Sequence, residues 1–197
     1  MTDAPRRKLP IGIQTFREIR EGGYYYYVDK TAYLAKLFNE GKHYFFSRPR
    51  GFGKSLLVDT LKELFEGNEP RFRGLQIHDR WDWSVRHPVL RLSFESGRFT
   101  ERGGVHAKLM EQLADAERRF GVATRGSTAS GRLAALLGAL HDREGQRVAV
   151  LVDDYDKPVT DAIESPEVAR ANRDYLFGVY GAVKDCDAHI EFSFLRV

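Results

Sequence analysis

Residues 47–55 read Ser-Arg-Pro-Arg-Gly-Phe-Gly-Lys-Ser and lie between an apolar segment and an amphipathic one. The apolar segment, 43–47, favours a strand, and the apolar residues of 56–65 recur at helical spacing. Residues 51–55 match the second half of the pattern G-x-x-x-x-G-K-[ST]. In that pattern glycine turns backbone N–H groups around an anion, lysine reaches the outer phosphates, and the hydroxyl binds magnesium. The order strand, glycine-rich loop, helix therefore predicts a phosphate-binding loop (Walker A).

The first glycine of the full pattern falls at position 48, where this chain has Arg48. The strict motif is therefore not matched, and we expect Gly51, which lies closer to the lysine, to supply the backbone freedom that the turn needs. The structural alternative is an ordinary turn followed by a helix that Ser55 caps. The flanking strand and helix favour the phosphate loop, which opens a helix with a positive N-terminal end. The residues predicted to bind the nucleotide are Arg50, Gly51, Phe52, Gly53, Lys54 and Ser55.

A second group of polar residues follows the apolar run 148–152, where the chain reads Asp153-Asp154-Tyr155-Asp156-Lys157-Pro158. A buried strand that ends in an acid is how P-loop enzymes present their magnesium-organising carboxylate (Walker B). Asp153 and Ser55 are therefore the predicted magnesium ligands. Asp154 is the predicted catalytic residue, which orients or deprotonates the attacking water. Acids at strand ends also begin ordinary loops, and it is the phosphate loop upstream that favours a metal site.

Strand candidates at 43–47, 89–94, 148–153 and 190–195 alternate with helix candidates. This alternation predicts an α/β fold of the P-loop NTPase type, with a parallel sheet covered by helices on both faces. The candidate at 89–94 fits P-loop proteins that place a third strand between their two motif strands. Because that class has one strand more, we expect a domain truncated after the fourth core strand. The predicted organisation is a polar tail, 1–10, and one P-loop domain, 11–197, incomplete at its C-terminal part.

Between the strands, apolar spacing predicts several helices and connections. Gly and Trp residues in 67–88 indicate a long connection that the tryptophans attach to the body. Tyr24 to Val28 predict an aromatic strand, and residues 121–131 a mobile loop. Helices are predicted at 16–20, 31–38 with Thr31 as cap, 56–65, 105–120, 133–141 and 168–184.

Composition excludes several function classes. The 197 residues carry 31 basic and 28 acidic side chains, and because both signs are scattered, nucleic-acid binding is not indicated. No apolar run approaches the roughly 20 residues of a membrane helix, and the N-terminus lacks an apolar signal core. Cys186 is the single cysteine, which excludes an intramolecular disulfide and a cysteine metal cluster. The expected location is the cytoplasm.

Taken together, five stretches resemble the bacterial AAA-ATPase-like proteins, which are predicted P-loop ATPases. The stretches are residues 9–14, 27–31, 47–55, 81–83 and 153–158, and the resemblance runs from about Lys8 to Leu195. The loop of this family reads Arg-Pro-Arg-x-Phe-Gly-Lys-[Ser/Thr], so that Arg48 belongs to the family pattern. The resemblance implies binding of ATP and Mg2+, with Lys54 and Ser55 as the phosphate lysine and metal hydroxyl and Asp153 as the metal acid.

The chain departs from this family at two places. Asp154 stands where the family usually has glutamate, and its carboxylate falls back by about 1.5 Å, roughly one C–C bond, so we expect slow ATP hydrolysis. After Leu195 only Arg196 and Val197 follow. The family continues with a Thr-Gly pair, a further strand, helices and often a nuclease-like domain. We therefore expect the sensor residue and arginine finger of the family to be missing, which puts turnover in doubt.

Three functions remain open from the sequence: an ATPase module, a nucleotide-binding module without significant turnover, and a metal-dependent nuclease. The nuclease alternative rests on Asp29 and on Glu40-Gly41-Lys42, which match the spacing D…(D/E)-x-K. Gly41, however, stands where such nucleases require a strand, and an ordinary turn explains the residues as well. ATP is the predicted partner, and no pattern points to a protein partner or an oligomer.

Overall fold

The computed structural model describes residues 8–23, 25–49 and 51–197. Most of the predicted polar tail, together with Tyr24 and Arg50, lies outside the described residues. The helices are α1 (Phe16–Glu21), α2 (Ala32–Glu40), α3 (Lys54–Phe65), α4 (Gly104–Phe120), α5 (Ala129–Glu144), α6 (Lys157–Thr160) and α7 (Pro166–Asp185). The strands are β1 (His43–Phe46), β2 (Val89–Ser93), β3 (Val148–Asp153) and β4 (Ile190–Arg196), and three short 3-10 turns span Glu69–Phe72, His78–Arg80 and Asp187–His189.

The described strands form one parallel sheet in the order β1-β4-β3-β2. The sheet is all-parallel, as predicted, and helices flank it, which confirms the α/β fold class. A third strand does separate β1 from β3, as expected, but this strand is β4. The strand that lies between them in the chain, β2, is at the far edge of the sheet. Because all strands run in parallel, the carboxyl ends of β1, β4 and β3 share one edge.

The chain divides into two compact units, one of residues 1–42 with 48–86 and one of 43–47 with 87–197. In the larger unit, α4, α5 and α7 pack on one face of the sheet. This core contains Leu92, Leu109, Leu133, Leu136, Val148, Val150 and Val179. The alternating residues Ala149, Leu151, Phe192 and Phe194 are buried as well. Burial on both faces explains why β3 is apolar without a break before its final acid.

The smaller unit is built on packed aromatic rings. The Phe16 and Phe72 rings lie 4.8 Å apart between centroids, and the Phe38 and Trp81 rings 4.9 Å apart. Trp83 packs on Phe72 and donates its indole N–H to the His78 carbonyl at 2.8 Å. The two tryptophans thus hold the long connection onto this unit, as predicted.

Several element predictions need correction. Residues 25–28 form no strand, and only an isolated bridge joins Tyr25 to Lys8. Thr31 precedes α2, but its hydroxyl donates to Asp29 rather than capping the helix. α5 begins at Ala129, inside the predicted mobile loop, because the Thr128 hydroxyl accepts a hydrogen bond from the Gly131 N–H and caps it. The short helix α6 was not predicted.

Candidate functional site

Both glycines of the predicted phosphate loop adopt the left-handed backbone conformation. Gly51 has φ +82° and Gly53 φ +71°, and a Cβ at either position meets nothing within 4 Å. Glycine is needed there for its conformation rather than for space. Gly53 is the N-cap of α3, and since it has no side chain, it supplies no oxygen to the first-turn N–H groups. Ser55 does not cap the helix, because it lies within the first turn of α3 and Gly53 is the N-cap.

Lys54 folds back over this loop. Its side chain is buried, and its Nζ donates a hydrogen bond to the Arg48 backbone carbonyl at 2.5 Å. An ammonium group carries three donors, so one carbonyl leaves most of its capacity unused. Ser55 is half-buried beside it, whereas the Phe52 side chain is exposed. The fold therefore brings Lys54 and Ser55 together at one helix start, while Arg50 lies outside the described residues.

The paired acids meet an arginine that the sequence analysis did not consider. Asp153 is the last residue of β3 and is 1% exposed. Arg196, at the end of β4, donates through Nη1 to Oδ1 of Asp153 and to Oδ1 of Asp154, the latter at 2.6 Å. Arg91 on β2 lies farther away, with its Nη2 3.4 Å from Asp153 Oδ2. In the sequence, Arg196 stands out only as a basic residue directly after the apolar strand candidate 190–195. The sheet order is needed to show which acids it contacts.

Asp154 has an unusual backbone and a shifted titration. It is the one described non-glycine residue with a positive φ, +53°. Burial raises the pKa of the Asp154 carboxyl, and the negative charges of Asp153, Glu95 and Asp156 add to this, against the opposing effect of Arg196. A carboxylate with a raised pKa is a better proton acceptor near neutral pH than an ordinary aspartate. This is compatible with a role in activating water.

The residues that follow the acids hold the chain in place. The Tyr155 N–H donates to the Arg196 carbonyl at 3.0 Å, and its hydroxyl donates to the Leu176 carbonyl at 2.9 Å. Burial raises the pKa of Tyr155 to about 12. Lys157 forms an ion pair with Asp161 at the end of α6. These interactions explain the stretch 155–158 as an anchor that ties the acids to β4 and α7.

Ser193, His43 and Asp187 form a hydrogen-bonded chain of the residue types found in hydrolase triads. His43 Nδ1 lies 2.7 Å from Ser193 Oγ, and His43 Nε2 lies 2.9 Å from Asp187 Oδ1. Ser193, however, is fully buried in the middle of the sheet, where no substrate reaches its hydroxyl. The chain of hydrogen bonds therefore joins β1 to β4 and to the turn before it.

The residues of the nuclease alternative have structural roles. The Asp29 carboxylate accepts hydrogen bonds from the Thr31 N–H and hydroxyl and from the Gln76 N–H, all at 2.7–2.8 Å. Glu40 ends α2, so the strand that a nuclease needs there is a helix end. In the described part of the chain, no three His, Cys, Asp or Glu side chains are grouped to hold a metal ion. The nuclease alternative is therefore wrong, because Glu40 ends a helix where such nucleases require a strand.

Over the described residues, none of the helices combines the length and apolar character needed to cross a bilayer. No solved structure matches this chain.

The chain is similar to a protein of Azotobacter chroococcum mcd 1 named "uncharacterized protein in vnfD 5'region". The two are 54% identical over 190 residues, which cover 96% of this chain and 37% of the relative. The chain thus spans little more than a third of that protein's length. The sequence model of a family described as "Predicted AAA-ATPase" matches residues 10–196, which include both the glycine-rich loop and the paired acids. This match extends over nearly the whole chain, and the chain therefore belongs to the predicted AAA-ATPase family.

Proposed function

We propose that this chain binds ATP with Mg2+ through residues 50–55 and Asp153, and that it hydrolyses ATP slowly. The observation that carries the proposal is the start of α3. There, two glycines with positive φ precede a buried lysine and a serine, and the helix has no side-chain cap. Family membership supports the nucleotide as the anion.

Each residue of the loop has a distinct part in phosphate binding. The backbone N–H groups of the loop and of the first turn of α3 donate to phosphate oxygens. Lys54 exchanges the Arg48 carbonyl for a phosphate oxygen, which is a stronger acceptor because it is charged. The first-turn position of Ser55 suits a hydroxyl that binds the cation.

Asp153 and Ser55 fit a magnesium ion by ligand type. Mg2+ prefers oxygen ligands and keeps several waters, so that one carboxylate, one hydroxyl and the nucleotide phosphates suffice. When bound, the ion neutralises charge on the phosphates. Within the sheet, β1 and β3 have their carboxyl ends at the same edge, with β4 between them, and Asp153 ends β3. In this structure the Asp153 carboxylate forms an ion pair with Arg196, so a bound ion has to replace the arginine there.

Asp154 is the proposed water-activating residue. Its raised pKa suits proton transfer, but one of its oxygens accepts from Arg196. The oxygen that accepts from Arg196 is not free to accept a proton from water, so slow turnover is expected. The same ion pair favours the second candidate, a nucleotide-binding module without significant turnover.

Calorimetric titration with ATP tests the binding proposal on the parent, Lys54→Ala and a matched control, Lys36→Ala. Lys36 is an exposed lysine of α2 whose Nζ lies 3.8 Å from Glu40. Lys54→Ala should weaken ATP binding by about 10- to 150-fold, the value of one charge-assisted hydrogen bond of roughly 1.5–3 kcal/mol. Lys36→Ala should bind like the parent. An Lys54→Ala protein that binds ATP as tightly as the parent would show that the loop is not a nucleotide site.

Phosphate release measured on the same samples separates the two candidates. Slow release that needs Mg2+ and is lost in Lys54→Ala supports an ATPase. Tight binding without release above a protein-free control supports the binding module. A parallel titration with GTP defines the base preference.

A further inference from the structure

Arg196 occupies the place at the paired acids where a cation is expected. A single nitrogen, Nη1, donates to Oδ1 of Asp153 and to Oδ1 of Asp154. The Arg196 side chain is 10% exposed and that of Asp153 1% exposed. The arginine thus bridges the two carboxylates as one positive charge inside the protein.

This ion pair is incompletely satisfied. The Arg196 Nε is buried and has no hydrogen-bond partner among the described residues. Buried charges are costly unless nearly every donor and acceptor is paired, and a partly paired network is the weakest kind. Arg91 donates a longer hydrogen bond to Asp153, with its Nη2 3.4 Å from Oδ2, but a guanidinium has no acceptor for the Arg196 Nε–H. Arg196 thus neutralises the acids through Nη1 while its buried Nε–H is left without a hydrogen bond among the described residues.

Arg196 is also held at its backbone rather than by its side chain alone. Its carbonyl accepts from the Tyr155 N–H at 3.0 Å, and the next residue, Val197, donates its N–H to the Phe46 carbonyl at 2.9 Å. These hydrogen bonds keep the Cα of Arg196 beside the acids. The long side chain can therefore leave the carboxylates while the strand stays in register.

We propose that Arg196 occupies the place of a divalent cation beside Asp153 and Asp154 and competes with that cation. This deepens the proposed function, on which it rests for the assignment of Asp153 as a cation ligand. A divalent ion brings twice the charge of the guanidinium and displaces it. The affinity of the chain for the cation is therefore set by the release of Arg196.

Titration of the nucleotide-free chain with Mn2+, followed by the electron paramagnetic resonance signal of the free ion, measures this competition. The variants are Arg196→Gln, which removes the charge, and Arg196→Lys, which keeps it. The matched control is Arg147→Gln, which removes an arginine paired with Glu191 at 2.6 Å near the opposite end of β4. Arg196→Gln should bind Mn2+ at least about tenfold more tightly than the parent. Arg196→Lys and Arg147→Gln should bind like the parent.

Thermal unfolding gives a second readout, because Mn2+ stabilises any folded form that binds it. The rise in Tm with Mn2+ should be larger for Arg196→Gln than for the parent. This rise in Tm should vanish in the double variant Asp153→Asn, Arg196→Gln. In the absence of metal, the double variant should be more stable than Arg196→Gln. An Arg196→Gln protein that fails to fold even with Mn2+ would show a purely structural arginine, and equal Mn2+ affinity in all variants would also overturn the proposal.

The outcomes separate this inference from the proposed function. If ATP binding depends on Lys54 while Mn2+ affinity ignores Arg196, the nucleotide site stands and the competition is refuted. If the parent binds no ATP while Arg196→Gln still gains Mn2+ affinity, the competition stands and the ATPase proposal fails.

Discussion

Asp154 shows how backbone conformation and chemistry meet at one residue. Its φ of +53° lies in the left-handed region, which aspartate and asparagine tolerate better than longer side chains. The resemblance to the family predicts glutamate at this position. In this chain the shorter acid suits the turn after β3 and reaches Arg196. Its length therefore affects both the fold and the position of a catalytic carboxylate.

Replacing Asp154 by glutamate should have two opposite effects. Turnover of ATP should rise at unchanged affinity, because the carboxylate moves out by about one C–C bond, and a 1 Å misplacement can cost on the order of a hundredfold in rate. The free energy of unfolding should fall by about 1 kcal/mol, since glutamate is strained at this φ. Phosphate release and urea unfolding measure the two separately.

Asp154→Asn is the control for this pair of effects. It tolerates the left-handed conformation but removes the base, so turnover should drop. Turnover in Asp154→Glu no higher than in the parent would show that the length of the acid does not limit hydrolysis.

Among the helices, α4 and α5 are joined by one strong ion pair. Glu117 of α4 accepts from Arg132 Nε at 2.9 Å and from Nη2 at 2.5 Å, and the Thr124 hydroxyl of the connecting loop also donates to it. The bond to Arg132 is the main reason that the pKa of Glu117 is lowered to about 2, against a smaller opposing effect of burial. This pair holds the end of the loop that the sequence indicated to be mobile.

The contribution of Glu117 to stability should depend on pH. Because its pKa is lowered from 4.5 to about 2 on folding, its stabilising effect is complete above pH 4.5 and is lost as the pH falls toward 2. At pH 7, Glu117→Gln should lower the free energy of unfolding by about 1.5–3 kcal/mol. Urea unfolding at pH 7 and pH 3 should show this difference shrinking at the lower pH.

Glu111→Gln is the matched control on the same helix. Glu111 is 60% exposed and lies 3.4 Å from Lys108, so its loss should change stability by less than about 1 kcal/mol. A Glu117→Gln effect that is equally large at both pH values would contradict a role for the ionised pair.

At the scale of the whole molecule, the sheet order determines which strands resist local unfolding most. β3 and β4 are central, and every residue of β3 is buried, whereas β1 has β4 as its one strand neighbour in the described sheet and Phe45 is exposed. Local opening costs most where both neighbouring strands and both faces are covered.

Hydrogen exchange followed by mass spectrometry should therefore rank the strands. Peptides that contain Val148–Asp153 should exchange on the order of tenfold or more slowly than those that contain His43–Phe46. Residues 121–127, which form no helix or strand, should exchange fastest and serve as the internal reference. Equal protection of β1 and β3 would contradict the ranking.

The sequence by itself determined most of the elements and their type. Local patterns were sufficient, because a continuous apolar run such as 148–152 and glycine before a helix constrain the backbone within a few residues. The same locality explains the errors. The aromatic run 24–28 has the propensity of a strand, but propensity yields to tertiary context, and Asp29 and Thr31 hold the adjacent chain to residues 76–77 instead.

Only the tertiary structure decided which charges meet. Arg196 is 43 residues from Asp153 and comes beside it because β3 and β4 are adjacent parallel strands that end at one edge. The sequence named both Asp153 and Asp154 from the strand before them, yet it could not show that one guanidinium serves both. Electrostatic pairing depends on distances of a few ångströms across strands, and such distances follow from sheet order and register rather than from any local pattern.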